Sequence, residues 1–234
     1  MTMIGDDLQQ VNNRIAKACV TAGRDPSEVR LLAVSKTFGP EAVREAHAAG
    51  QSAFGENYVQ EGLDKIEALA DLRSSLEWHC IGPLQSNKTR PVAEHFDWVH
   101  SIDRLKIAER LSAQRPAHLP PLDVCLQVNV DGGVNKSGVP PEEALALARA
   151  VAALPQLRLR GLMAIPEPAA GFEAQRDLCL RAHAVYQSIR DAGIALDTLS
   201  LGMSADLEAA ISAGSTMVRV GTAIFGGRTY ARPA

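Results

Sequence analysis

The stretch 31–57, LLAVSKTFGPEAVREAHAAGQSAFGEN, contains the pattern of a strand, a helix and a second strand. The apolar run at 31–35 is typical of a buried strand. The segment after it has the features of a helix, with Pro40 in its first turn and Gly50 past its end. A second short strand is predicted at 52–57. Two strands joined by one helix form a right-handed βαβ unit, so the stretch predicts two parallel strands of one sheet.

The same alternation continues along the rest of the chain, and an additional helix at 6–23 precedes the first strand. Eight strands, each after the first preceded by a helix-sized connection, favour a single (β/α)8 barrel of the TIM type, an α/β fold. An open doubly wound sheet is the alternative. We expect one domain over residues 1–234. The predicted strands are 31–35, 52–57, 77–82, 97–102, 122–130, 157–165, 197–203 and 217–222.

Composition and charge exclude several classes of protein. The chain is 46% hydrophobic and 22% charged, which is enough for a sizeable core, and its net charge of −3 argues against nucleic acid as a partner. No apolar run is long enough to cross a membrane, and the first residues lack the pattern of a signal peptide. The four cysteines form no CxxC pair and the six histidines are dispersed. We therefore expect reduced thiols, a cytoplasmic location and no bound metal.

Lys36 directly follows the first predicted strand, at the end of the barrel where active sites of this fold lie. Lysine is scarce in this sequence, with 6 lysines against 18 arginines. One interpretation is an amine in a partly apolar mouth, where loss of solvation makes it a nucleophile toward a carbonyl. The other is a solvated lysine at the start of a loop. This residue alone does not decide between them.

The ends of strands seven and eight carry the pattern of a phosphate site. Ser204 is predicted to be the N-cap of a helix with Asp206 in its first turn, and Gly221 and Thr222 end the last strand. Loops after these two strands often hold phosphate in this fold, because glycine, hydroxyl groups and helix N-termini offer donors at close range. The alternative is an ordinary cap and an ordinary turn. The two motifs together favour a phosphate site.

Several other polar residues are placed near the same rim. Arg219 faces the same side of strand eight as Gly221, so it is expected either in a structural ion pair or as a donor to a ligand. Asn57, His79 and Asn129 lie in or after other strands, and each alone is more typical of a satisfied polar group in a core or turn. Lys136 lies in a loop of turn-forming residues, where we expect it to be solvated.

An amine and a phosphate site at one mouth predict a ligand that carries both a carbonyl and a phosphate. Phosphosugars and pyridoxal phosphate both meet this description. The residues by themselves leave the two alternatives open.

Six segments resemble the YggS/PROSC family of pyridoxal phosphate homeostasis proteins, in order and in spacing, over nearly the whole chain. The resemblance implies a barrel like that of alanine racemase. Two departures are Cys80, where an aromatic residue is common in the family, and the residues before Lys136, which leave the role of that lysine open. The segments are AVSKTF (33–38), FGENYVQE (54–61), WHCIGPLQSNK (78–88), GLMAI (161–165), LSLGMSADLEAAI (199–211) and VRVGTAIFG (218–226).

The resemblance also implies roles for individual residues. Lys36 would hold pyridoxal 5'-phosphate as a Schiff base. Ser204, Gly221 and Thr222 would hold its phosphate, and Arg219 would lie near its pyridine nitrogen. An arginine there disfavours protonation of that nitrogen and weakens the ring as an electron sink. Further cofactor-binding residues at matching positions are Asn57, His79 and Met163.

The racemase relatives of this family carry a second domain that supplies a catalytic tyrosine, whereas this sequence ends shortly after strand eight, with Tyr230 in the tail. We therefore expect a carrier or regulator of pyridoxal phosphate without strong turnover, and no catalytic residue. The alternatives are a weak amino-acid racemase and, disfavoured by the resemblance, a class I aldolase. We expect a monomer, with apo forms of pyridoxal phosphate enzymes as partners.

Overall fold

A computed structural model of the protein describes residues 3–132 and 137–227. Within them, eight parallel strands pair in chain order and close into a barrel, because the last strand also pairs with the first. The closure confirms the predicted (β/α)8 fold and excludes the open sheet. That residues 1–234 form one domain stays a prediction. The strands are β1 (Arg30–Val34), β2 (Ala53–Glu56), β3 (Glu77–Cys80), β4 (Trp98–Ile102), β5 (Leu122–Gln127), β6 (Leu157–Met163), β7 (Thr198–Ser200) and β8 (Met217–Val220).

Helices surround the barrel, and the predicted helix before the first strand is present. It packs against the helices that precede and follow β8, so it covers the side of the barrel where the chain closes. The helix predicted between the first two strands is also present, at Pro40–Ala48. The helices are α1 (Met3–Thr21), α2 (Pro40–Ala48), α3 (Val59–Ala68), α4 (Thr89–His95), α5 (Leu105–Gln114), α6 (Pro141–Ala152), α7 (Phe172–Asp191), α8 (Leu207–Ser212) and α9 (Thr222–Phe225).

The strands are apolar on both faces because each face meets a different part of the core. In β1, Leu31 and Ala33 pack outward against the helices, whereas Leu32 and Val34 belong to a separate interior cluster. A second interior cluster consists of Trp98, Cys125 and Met163. The barrel interior is therefore filled by side chains, and the open space lies at its ends.

Several strands end earlier than predicted. β5 ends at Gln127, so Asn129 lies in the following loop, where its side chain accepts a hydrogen bond from the N–H of Gly132 at 3.1 Å. Beyond this point the N–H of Val128 still donates to the carbonyl of Met163 in β6, and Val128 also forms an isolated bridge with Val139, beyond the adjoining loop.

The four cysteines are buried and free, as expected for core thiols. Burial raises the pKa of Cys80 and of Cys179 to about 12, so both thiols stay protonated and unreactive at neutral pH. Within the described residues no helix is long and apolar enough to cross a membrane. The same residues contain no cluster of three or more side chains suited to a metal ion.

Candidate functional site

A cavity of about 550 Å³ opens at the carboxyl ends of the strands. This volume lies within the range of small-molecule sites. Seventeen described residues line it, among them Phe38, Gln127, Ser137 and Met203, which the sequence analysis did not single out. Of the residues predicted to bind a cofactor, those that line it are Lys36, Asn57, Ser204, Arg219, Gly221 and Thr222.

His79 and Met163 are fully buried in the barrel interior and are not among the described residues that line the cavity. Both side chains point inward from their strands, where they contact other groups of the barrel interior. His79 makes hydrogen bonds to Glu77 and His100. Met163 packs in the cluster that contains Trp98. Direct contact of these two residues with a ligand stays a prediction.

Lys36 lies half-buried in the turn between β1 and α2, and hydrogen bonds hold the residues on both sides of it. The carbonyl of Ser35 accepts a hydrogen bond from Nζ of Lys65 at 2.8 Å. The N–H of Thr37 donates to the carboxylate of Glu61. Thr37 has a φ of 71°, a left-handed conformation that a β-branched residue adopts only when its surroundings enforce it. Two residues of α3, Lys65 and Glu61, therefore hold the backbone on both sides of Lys36.

Lys65 is the centre of a buried ionic network that the sequence analysis missed. Only 3% of the residue is exposed, and its ammonium group donates to Ser35, to Glu56 at 2.7 Å and to Glu61 at 2.8 Å. Burial raises the pKa of Glu56, although the charge of Lys65 opposes this effect. A signal was present in the sequence, because Lys65 falls on the apolar face of α3 beside Gly62.

The N-cap of α8, in the loop that follows β7, differs from the prediction. α8 begins at Leu207 and its N-cap is Asp206, so Ser204 is not the cap and Asp206 is not in the first turn. The reason is a tight turn in which the Asp206 carboxylate accepts from the N–H of Met203 at 2.7 Å. Ser204 lies in the middle of this turn and lines the cavity.

The first helix supports this loop from outside the barrel. Nη2 of Arg14 in α1 lies 3.2 Å from the carbonyl oxygen of Ser204, and the same guanidinium pairs with Glu208 at 2.9 Å. The helix that precedes the barrel thus contacts the backbone of a residue that lines the cavity.

At the end of β8 the backbone comes close to β1. A Cβ atom at Gly221 would lie 2.9 Å from the carbonyl oxygen of Val34, which leaves no space for a side chain. Thr222 begins α9, so the first N–H groups of this helix have no carbonyl partner within it. The rings of Phe38 and Phe225, 5.3 Å apart, join α9 to the loop that carries Lys36. The loop that carries Lys36 and helix α9 are therefore in contact at this side of the cavity.

Arg219 presents a buried guanidinium at the same cavity. Nη1 donates to the carbonyl and hydroxyl oxygens of Ser200 at 2.6 and 2.7 Å, and Nη2 donates to the carbonyl of Ala164 at 2.9 Å. Within residues 3–132 and 137–227, no carboxylate forms an ion pair with it. Burial lowers the pKa of Arg219 to about 10, which leaves it charged at neutral pH. A buried charge with uncharged partners favours an acceptor on a ligand over a structural ion pair.

The cavity thus combines an amine, a charged guanidinium, the turn that contains Ser204 and the first residue of α9. Among the described lining residues, Lys36 and Arg219 are the ones with acidic or basic side chains. Lys136 and Tyr230 lie outside the described residues. The arrangement is chemically suited to a ligand with a carbonyl at one end and a phosphate at the other.

Comparison with known proteins shows which family the chain belongs to. The sequence model of the family named alanine racemase, N-terminal domain, matches residues 7–229 of this chain. The pyridoxal phosphate homeostasis protein of Pseudomonas aeruginosa is 61% identical over 238 residues, covering 100% of each chain. The chain belongs to the YggS/PROSC family of pyridoxal phosphate homeostasis proteins. The Escherichia coli protein of the same name is 55% identical over 233 residues, covering 99% of this chain and 100% of the relative.

Solved structures of YggS/PROSC proteins share this fold. PipY of Synechococcus elongatus, with pyridoxal phosphate bound, superposes with a TM-score of 0.79 at 38% identity, covering 91% of this chain and 100% of that chain. Alanine racemase of Corynebacterium glutamicum superposes with a TM-score of 0.66 at 20% identity and covers 97% of this chain and 64% of that chain. The similarity to alanine racemase shows only that the two proteins share this fold.

Proposed function

We propose that this protein binds pyridoxal 5'-phosphate in the cavity at the carboxyl end of the barrel and acts in the homeostasis of that cofactor as a carrier or regulator. One observation carries the proposal. Lys36, the buried Arg219 and the turn at Ser204 line a single cavity of about 550 Å³. The bound cofactor in the related PipY structure supports the same assignment.

The residues present fit the cofactor group by group. Pyridoxal phosphate supplies an aldehyde, which condenses reversibly with a primary amine to a Schiff base and one water molecule. Lys36 is the amine that lines the cavity. Ser204, Gly221 and Thr222 bind the phosphate, because the turn and the start of α9 present N–H and hydroxyl donors.

Arg219 completes the fit on the side of the pyridine nitrogen. Its guanidinium has donors only, so it binds the nitrogen in the unprotonated form. A charged group at this position opposes protonation of the nitrogen, and the burial of Arg219 strengthens that effect. Asn57 is a further polar group at the same cavity.

The described side chains favour a carrier over an enzyme. Proton transfer to and from an amino acid requires a positioned acid or base on each face of the substrate. Apart from Lys36 and Arg219, the described residues that line the cavity carry neutral side chains at neutral pH. Reversible binding and delivery of the cofactor needs the amine and the phosphate site alone. We propose that the protein is a monomer that delivers pyridoxal phosphate to apo-enzymes.

Borohydride reduction tests the binding site. Reduction of the loaded protein should fix the cofactor's mass on the peptide that contains Lys36, and Lys36→Ala should remove this adduct. Lys88→Ala is the matched control, because Lys88 is exposed on the surface and should leave the adduct unchanged. An unmodified Lys36 peptide in a protein saturated with the cofactor would contradict the proposal.

A second experiment separates a carrier from an enzyme. The loaded protein is incubated with L- and D-amino acids while the enantiomer ratio is followed. Turnover of about 1 per second or faster would identify an enzyme and overturn the carrier. Activation of an apo-enzyme by the loaded protein, faster than by the same concentration of free cofactor, is the expected result. Sedimentation of the same sample measures whether the protein is a monomer.

A further inference from the structure

A chain of hydrogen bonds crosses the barrel interior from the candidate cofactor cavity to the opposite end of the strands. Nη1 of Arg219 lies 2.7 Å from Oγ of Ser200, which lies 3.2 Å from Nδ1 of His100. Nε2 of His100 lies 2.9 Å from Nδ1 of His79. Nε2 of His79 lies 2.6 Å from Oε1 of Glu77, the first residue of β3. Four strands contribute to this chain.

The carboxylate at one end and the neutral state of the two rings determine the direction of every hydrogen bond. A guanidinium only donates, so the Ser200 hydroxyl accepts from Arg219 and keeps its own proton for Nδ1 of His100 when that nitrogen is an acceptor. An ionised carboxylate only accepts, so Nε2 of His79 carries a proton and donates to Glu77. The bond between the rings must then run from Nε2 of His100 to Nδ1 of His79. Both histidines are neutral and protonated at Nε2.

The opposite direction between the two rings would require a buried cation. If Nδ1 of His79 donated to His100, the His79 ring would carry protons on both nitrogens, because Nε2 still donates to Glu77. Both histidines are 0% exposed, and a charged imidazole there has no access to water. Burial lowers the pKa of His79 and lowers that of His100 well below its usual range. The burial and the hydrogen-bond geometry therefore agree on neutral rings.

We propose that Ser200 and His100 are positioning residues, which hold the guanidinium of Arg219 at the cavity through this one-directional chain. Because His100 accepts the Ser200 proton, the lone pairs of this hydroxyl are oriented toward the guanidinium of Arg219. The assignment of the tautomers is independent of any ligand. The effect on a bound cofactor rests on the proposed function, in which Arg219 faces the pyridine nitrogen.

Variants at Ser200 test the positioning role. Ser200→Ala removes the relay hydroxyl but keeps the carbonyl that also binds Arg219. We expect the dissociation constant of pyridoxal phosphate to rise about 3- to 10-fold, the equivalent of one hydrogen bond. The absorption maximum of the bound cofactor should also shift, because the donor at the ring nitrogen moves. Ser200→Thr retains the hydroxyl and should restore both values.

The tautomers are measured directly on the wild-type protein without cofactor. Two-bond ¹⁵N–¹H correlation spectra at neutral pH should show His79 and His100 protonated at Nε2, with assignments from single-histidine variants. His118→Asn, at an exposed position, is the control and should change neither these signals nor cofactor binding.

Each part of the proposal has an outcome that overturns it. Protonation of His100 at Nδ1 in the wild-type spectra would overturn the one-directional chain. A Ser200→Ala protein with wild-type affinity and absorption would overturn the positioning role, provided that Lys36 still forms its adduct. A protein that binds no pyridoxal phosphate at all would instead overturn the proposed function, and the spectra would still decide the direction of the chain.

Discussion

The Nζ atom of Lys65 lies 2.8 Å from the carbonyl oxygen of Ser35, the residue immediately before Lys36. The protein therefore uses one lysine, deeply buried, to hold the loop that presents another lysine to the cavity. Lys65 forms ion pairs with Glu56 and Glu61 away from the cavity, and Lys36 is among the residues that line the cavity.

Replacement of Lys65 by methionine should destabilise the protein strongly. The change leaves the buried Glu56 carboxyl without its cationic partner, which typically costs about 3–5 kcal/mol of the free energy of unfolding. Chemical denaturation measures this value. Lys106→Met, at an exposed position on α5, is the control and should change the free energy by less than about 0.5 kcal/mol.

A double variant tests whether the cost arises from the unpaired carboxyl. Glu56→Gln combined with Lys65→Met should be less destabilised than the sum of the two single variants, since neither charge is then left alone. Additive effects of the two substitutions would show that the pair does not interact.

Gly221→Ala should weaken cofactor binding because the new methyl group has no room. Its Cβ atom would lie 2.9 Å from the backbone oxygen of Val34, so the end of β8 must move away from β1. We expect the dissociation constant of pyridoxal phosphate to rise about tenfold or more, as measured by absorbance titration. Gly227→Ala is the matched control, since no heavy atom of the described residues, other than its chain neighbours, lies within 4 Å of its Cβ position. Equal affinities of the two variants would contradict this prediction.

Arg14→Gln should affect binding more than stability. The ion pair of Arg14 with Glu208 is well exposed, with 39% and 46% of the side chains accessible, so its loss should cost less than about 1 kcal/mol of unfolding free energy. The hydrogen bond to the Ser204 carbonyl is lost as well, and we expect the dissociation constant of pyridoxal phosphate to rise about 2- to 5-fold.

Arg176→Gln is the matched control for this variant. Arg176 forms a similarly exposed pair with Glu173 on α7 and is not among the residues that line the cavity. It should change stability by a comparable amount and leave cofactor affinity unaltered. A loss of affinity in both variants would indicate a general effect of surface charge.

Glu77 should make stability depend on acid pH. Burial alone would raise its pKa, but the hydrogen bond and the charge interaction with His79, followed by the charge of Arg30, lower it from 4.5 to about 2. The His79 ring is neutral at neutral pH and contributes its charge only after it gains a proton in acid. A lowered folded-state pKa stabilises the protein above pH 4.5, and this contribution is lost as the pH falls from 4.5 to about 2.

Glu77→Gln should therefore remove about 2–3 kcal/mol of the decrease in unfolding free energy between these two pH values. Denaturation curves at several pH values measure the difference from wild type. Glu173→Gln, at a position with 76% of its side chain exposed, should retain the wild-type pH dependence. Identical pH profiles for wild type and Glu77→Gln would contradict the assignment.

The fold was predictable because its pattern is local. Alternating strand and helix periods occur within short windows, and each βαβ unit has one favoured hand. The ends of the strands were less predictable. The apolar run at 122–130 looks like one strand, but β5 ends at Gln127, and the next residue, Val128, forms an isolated bridge with Val139 across a loop.

The candidate site was predicted in part. Lys36, Ser204 and Gly221 were recognisable because residues at strand ends and turns carry local signals, and the structure brings them to one cavity. The cap at Asp206 was missed because two polar residues separated by one position, Ser204 and Asp206, both suit a helix N-terminus, and the choice depends on which turn closes.

The sequence by itself determined the order of strands and helices and the lysine that follows the first strand. It favoured a closed barrel, and the pairing of β8 with β1 decided for closure over an open sheet. Tertiary structure alone decided which partners the buried polar groups have. Lys65 and Ser35 are 30 residues apart, and His100 and Ser200 are 100 residues apart. The physical reason is that periodicity reflects short-range backbone geometry, whereas a hydrogen bond between distant strands exists only after the barrel has closed.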